Sequence, residues 1–231
     1  MLISTLRTLL SGGSLSFSYV LAQIVSVVMI AVLVLPFHEF AHGFAALKLG
    51  DHTPKYDGRI TLNPMASIDP RGALFLLLFG IGWAKPVQIN PRNFRNPKRD
   101  MAISALAGPL ANVIAAFVGV LIYVPLYYFA PYNTFTEFIY YFLMWYMRIN
   151  LSLAVFNLIP VPPLDGSRII AAFLSDRAMY SYYRYQNILI WVLFAVMLTG
   201  MLSGPLNTMI NGLFSALVWI AERPYVLFGV I

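Results

Sequence analysis

His38-Glu39-Phe40-Ala41-His42 sets two imidazoles four residues apart, with a carboxylate directly after the first. On a helix, residues four apart lie one turn above each other on a single face, so the two imidazoles can converge on one zinc ion. Glu39 is then placed to take a proton from a water at that metal, the general-base role of metal-assisted hydrolysis. The segment continues an apolar stretch that starts near Phe17. Two histidines and a glutamate inside an apolar helix are costly unless something satisfies them, and intramembrane ionisable groups default to function. Zinc supplies that satisfaction.

A catalytic zinc takes three protein ligands and leaves a fourth position open. The remaining histidine, His52, lies in the polar stretch GDHTPKYDG and reads as a loop residue. Asp51, Asp57, Asp69, Asp100 and Asp176 sit in polar, basic-flanked segments, and Glu137 and Glu222 lie at the wrong end of a span or near the terminus. Asp165 differs, because it closes FNLIPVPPLDG, where Pro160, Pro162 and Pro163 forbid a regular helix and Gly166 permits a turn. A span that unwinds at its cytoplasmic end there delivers a carboxylate to the metal. The expected ligand set is His38, His42 and Asp165, with Glu39 as the catalytic base.

These groups need elements to hold them, and the composition states which kind. Of 231 residues, 60% are hydrophobic and only 10% charged, and the mean hydropathy is +0.75. Soluble domains run at about 45–50% apolar and about 25% charged, so the chain is a membrane protein. Cysteine is absent, which excludes disulfides, thiolate metal sites and thiol nucleophiles. The net charge of +6 reads as cytoplasmic loop charge and not as a nucleic-acid surface, since no basic run is interleaved with exposed aromatics.

Apolar runs cover roughly 19–47, 72–84, 102–130, 138–160, 188–202 and 206–221. A hydrocarbon core about 30 Å thick needs about 20 helical residues, which the first, third and fourth runs supply. The second, GALFLLLFGIGWA, is too short and has Lys and Arg on both flanks, so it is expected to be re-entrant or interfacial. Following the charge bias along the chain predicts an all-α polytopic protein of about five spans, its metal nearer the cytoplasmic face. In that arrangement Arg148 lies within a span, where a water cavity and a lipid headgroup are the two readings. GRITLN (58–63) and AKPVQIN (84–90) alternate partially and predict a small β-hairpin or sheet at the cytoplasmic interface. Residues 1–231 read as a single domain with a core at 19–166 and a C-terminal helical hairpin at about 183–222. Phe17–Pro36 lacks a basic leader and an Ala-x-Ala site, so it reads as a retained helix and not a cleaved signal. In AGPLAN, small residues let helices approach closely. Asn112 is open either to that packing or to a hydrogen bond beside the metal.

At HEFAHG (38–43), AGPLAN (107–112) and FNLIPVPPLDG (156–166) the chain resembles the site-2 protease family of intramembrane zinc metalloproteases, in a compact form without PDZ or CBS domains. The intervening GWAKPVQIN is also similar, and the likeness covers most of 35–170. It implies zinc on His38, His42 and Asp165, Glu39 as base, and Asn157 beside the site as a hydrogen-bond donor to the scissile carbonyl or its oxyanion. It further implies a transmembrane protein as substrate and a multi-pass setting in a prokaryotic cell membrane, serving regulated proteolysis or peptide clearance. An extended substrate is expected to pair with the edge of 84–90. The competing reading is a metal transporter using the same ligands as a transit site. Glu39 speaks against it, since a transporter has no need of a base between its ligands, and no inverted repeat is visible.

Overall fold

The computed structural model describes residues 15–79 and 84–229, with Thr5, Thr8 and 10–12 ahead of them. The chain enters through α1 (Phe17–Met29), capped by Ser16, whose side chain accepts from the Tyr19 amide. A π-turn over Ile30–Val34 carries it into α2 (Leu35–Lys48) without a break. Pro36 has no N–H and its ring crowds the carbonyl four residues back, so a widened turn just before it relieves the helix. Three short helices follow, α3 (Thr53–Tyr56), α4 (Pro64–Ser67) and α5 (Pro70–Phe79). The long α6 (Pro97–Phe129) starts at the Asn96 cap with proline in its first turn, and α7 (Thr134–Asn157) starts at a capping box between Asn133 and Thr136. Then come α8 (Asp165–Ala171), α9 (Asp176–Arg184), α10 (Gln186–Leu198) and α11 (Ser203–Leu227).

The sequence of α6 shows how a membrane helix is sided. Ile103, Leu106, Leu110, Ile114, Val118 and Leu121 form an exposed stripe at helical spacing, suited to lipid. The opposite face is small and buried: Ser104, Ala105, Gly108, Ala111, Ala115 and Gly119. That face lets α2, α7 and α8 close on α6. The packed interior is apolar around this junction, with Val27, Ile30, Val34, Ile149 and Leu153 joining α1–α2 to α7. Ala116, Leu151, Val155 and Ile210 join α6 and α7 to α11.

Two expectations are not confirmed among the described residues. Phe17–Lys48, Pro97–Phe129 and Thr134–Asn157 are long and apolar enough to cross a membrane, and α10 with α11 makes a fourth span only if taken together across an 85° bend. The structure therefore carries three or four candidate spans among the described residues, against the five expected. The 13 residues of α10 reach about 20 Å, short of the hydrocarbon thickness. Gly200, at φ +74°, turns the chain after it. The hairpin over 58–63 and 84–90 does not form strands among the described residues; contact is reduced to one antiparallel bridge between Ile68 and Ala84. Pro64 and Pro86 cannot donate to a ladder, and the Arg59 guanidinium fills the gap by donating to the carbonyls of Ala66 and Lys85. α5, with 10 residues, is too short to cross and takes in 72–79 of the short apolar run, whose residues 80–83 lie outside the described set.

Candidate metal centre

α2 turns one face inward, burying His38, His42, Gly43 and Ala46. After α7 ends at Asn157, the proline-rich 158–164 segment folds back so tightly that a Cβ on Gly166 would lie 2.2 Å from the Leu158 carbonyl oxygen and 2.6 Å from that of Ile159. Only glycine allows that return, which starts α8 with Asp165 buried beside the two histidines. His38 Nε2 and His42 Nε2 are 3.0 Å apart, and Asp165 Oδ2 lies 3.3 Å and 3.2 Å from them.

Zinc bonded to nitrogen and oxygen at about 2.0–2.1 Å in a tetrahedron needs ligand atoms about 3.3 Å apart, so the three atoms fit. The hydrogen-bonding pattern leads to the same place. His42 Nδ1 is 2.7 Å from the Ser104 carbonyl oxygen. A carbonyl only accepts, so Nδ1 carries the hydrogen and the neutral ring presents the Nε2 lone pair. That lone pair faces a carboxylate oxygen which has no hydrogen-bond donor of its own. Two lone-pair atoms held this close repel unless a cation lies between them. Among the described residues these three are the group of His, Asp and Glu side chains able to share an ion. They are positioned to form a metal site.

The centre opens into a cavity of about 750 Å³ whose lining includes Glu39, Val87, Asn112, Arg148 and Asn157. The Val87 amide donates to Glu39 Oε2 at 2.8 Å, which fixes the carboxylate and leaves Oε1 free. Asn157 Nδ2 donates to the Leu153 carbonyl at 2.9 Å, using one of its two hydrogens. Asn112 is fully buried and neither its Nδ2 nor its Oδ1 has a partner. It makes no hydrogen bond to either histidine. His52 is exposed, 3.1 Å from the Gly50 carbonyl, and outside the cluster.

Several contributors carry no chemical signal in the sequence. Gly108 presses against the imidazoles: a Cβ there would fall 2.2 Å from His42 Nε2 and 2.6 Å from His38 Cε1. Ser104 donates its hydroxyl to the His42 carbonyl at 3.0 Å, returning the bond its own carbonyl accepts. The 84–93 strap that supplies Val87 is anchored by buried Asp51. Asp51 accepts from the Asn90 amide at 2.7 Å, Asn93 Nδ2 at 2.8 Å and Thr53 Oγ1 at 2.6 Å. Burial acts to raise the Asp51 pKa, but these hydrogen bonds outweigh it and hold the carboxyl below its ordinary range.

The fold is that of an apolar, helical membrane protein, and within it His38, His42 and Asp165 are positioned to form a metal site with Glu39 lining the same cavity. Residues 129–200 are similar to peptidase family M50. The chain is 41% identical over 138 residues to the Bacillus subtilis protein described as "Putative zinc metalloprotease YwhC", covering 58% of this chain and 62% of that one. It is 31% identical over 138 residues to "Putative zinc metalloprotease MJ0611" of Methanocaldococcus jannaschii, covering 58% and 63%. Against "Putative zinc metalloprotease Rip2" of Mycobacterium tuberculosis it is 28% identical over 170 residues, covering 68% and 61%. The matched region thus spans about three fifths of each relative's length. No solved structure matches.

Proposed function

We propose that the protein is an intramembrane zinc metalloprotease that hydrolyses peptide bonds in or near transmembrane segments of other membrane proteins. The observation that carries this reading is the convergence of His38 Nε2, His42 Nε2 and Asp165 Oδ2 at 3.0–3.3 Å on the wall of a cavity that also holds Glu39. A zinc ion held by these three atoms would supply Lewis acidity toward a peptide carbonyl and acidify an attacking water.

The chain's own groups do the rest. Glu39 Oε1 takes the water's proton while Oε2 stays held by the Val87 amide, and the same carboxyl later gives that proton to the leaving amine. The second hydrogen on Asn157 Nδ2 is offered to the carbonyl oxygen of an unwound segment, while the buried Asn112 packs behind the site. The Ser104 carbonyl keeps the His42 proton on Nδ1 throughout. A metal transporter would leave Glu39 without a task.

Basic residues on both sides of α5 favour a cytoplasmic placement of 48–71 and 85–99. Reporters fused near Met65 and Asn93 are expected to read cytoplasmic alike, and opposite readings would invert the orientation. The function itself is tested by reconstituting the chain with a helical transmembrane substrate and sequencing the fragments. Cleavage by wild type and none by Glu39→Gln is the expected result. Equal cleavage by both would remove the reading.

A further inference from the structure

Arg148 is the one intramembrane cation in α7, nine residues before Asn157 and 14 after Thr134. It thus sits about 14 Å and about 21 Å along the helix from the two ends, too deep for the end-of-helix placement by which long cations reach headgroups. It is exposed and lines the metal cavity together with Trp145, Ile149 and Ser152 on one face of α7. The ion pairs among the described residues join His38 and His42 to Asp165, Lys98 to Asp176 and Arg99 to Asp100. Arg148 takes part in none of them. The cavity's own carboxylates have other duties, Glu39 on the Val87 amide and Asp165 at the metal ligands. A guanidinium at mid-membrane depth, with a cavity before it and no anion of the chain to meet, is arranged for an anion that arrives with the occupant.

We propose that Arg148 forms a carboxylate-recognising subsite that reads an Asp or Glu side chain, or a chain-terminal carboxylate, near the bond to be cut. This rests on the proteolytic reading above. The register follows from geometry. About 14 Å separates Arg148 from Asn157 along α7, and an extended chain advances about 3.3 Å per residue. The acidic group therefore lies about four residues from the scissile bond. Carboxylate and guanidinium pair in a two-pronged geometry that an amide cannot reproduce, so an Asp-to-Asn change in the occupant is a sharp probe. Specificity of this kind makes a buried acidic residue, rare in membrane helices, the mark of a substrate.

The test uses zinc-loaded Glu39→Gln protein in detergent and fluorescent apolar peptides carrying one Asp, or its Asn twin, at successive positions. Anisotropy is expected to show the Asp form binding about 10–100-fold tighter at a single position, about four residues from the cleavage site mapped with wild type. Arg148→Gln should bring that ratio to one, and Arg148→Glu should turn the preference toward a Lys twin. Peptides ending in a free acid or an amide separate the terminal carboxylate from the side chain as the group read. An Asp-to-Asn ratio near one at every position overturns the proposal, as does a preference that survives Arg148→Gln. A response of Arg148→Gln confined to anionic-lipid nanodiscs would also overturn it, in favour of a headgroup phosphate. Peptide binding that tracks Arg148 while wild type cleaves nothing would support the subsite and remove the proteolytic reading instead.

Discussion

Replacing Gly108 by alanine adds one methyl group at the back of the metal centre. That Cβ would lie 2.2 Å from His42 Nε2, 2.5 Å from His42 Cε1 and 2.6 Å from His38 Cε1. Non-bonded contacts settle at about 3.5–4.0 Å, so the rings must retreat by about 1 Å or α6 must move off α2 by a similar amount. Either route breaks the site. Metal–ligand distances tolerate about 0.2 Å, and moving α6 also carries the Ser104 carbonyl away from His42 Nδ1, now 2.7 Å distant. Gly108→Ala is expected to hold well under one zinc per chain and to lose cleavage, while remaining helical and monodisperse in detergent. Gly212→Ala is the control, since a Cβ there has nothing within 4 Å; it should keep full metal and activity. Metal content by mass spectrometry on purified protein decides the matter. Gly108→Ala holding one zinc at wild-type affinity would refute the close approach that defines the centre.

Two further outcomes follow from the strap. Val87→Pro removes the N–H that holds Glu39 Oε2 at 2.8 Å, so cleavage should slow by about 10–100-fold with zinc content unchanged; an unaltered rate would show that the carboxylate needs no such anchor. The Asp51 carboxyl is held below its ordinary pKa in the folded protein. Its contribution is full above the unfolded value near 3.9 and is lost as pH falls through the lower folded value. Amide exchange over 84–93 should therefore rise below about pH 4 in wild type, and Asp51→Asn should already show the faster exchange at pH 5.

Much of the centre was legible because its residues carry their chemistry in their types. HEFAH puts two imidazoles on one helical face, and the prolines before Asp165 signal a carboxylate off the end of a span; the structure brings these three groups together. What could not be read was supplied by backbone or by absence. Gly108 looks like any small residue of a packing face until the imidazoles are found against it, and the Ser104 and Val87 contributions come from main-chain atoms that every residue possesses. Residues 84–90 of the strap read as a strand, but alternation cannot reveal that prolines and Arg59 replace a ladder with a single bridge. Arg148 was visible as an anomaly, without the cavity that gives it a surrounding. The count of five spans is not confirmed, because a short apolar run looks the same in sequence whether the helix crosses, bends or lies flat. Residues 180–231 offered no motif, yet Leu206, Asn207 and Ile210 help to close the cavity.

In the proposed enzyme His38, His42 and Asp165 hold the metal while Glu39 serves it without binding it. The most direct measurement is zinc per chain, by mass spectrometry, in wild type, Glu39→Gln and Asp165→Ala purified side by side. Wild type and Glu39→Gln are expected to carry one zinc each, with Glu39→Gln at least about 10²–10⁴-fold slower in cleavage, and Asp165→Ala to have lost both metal and activity. Zinc held as firmly by Asp165→Ala as by wild type would contradict the account, and so would its loss from Glu39→Gln.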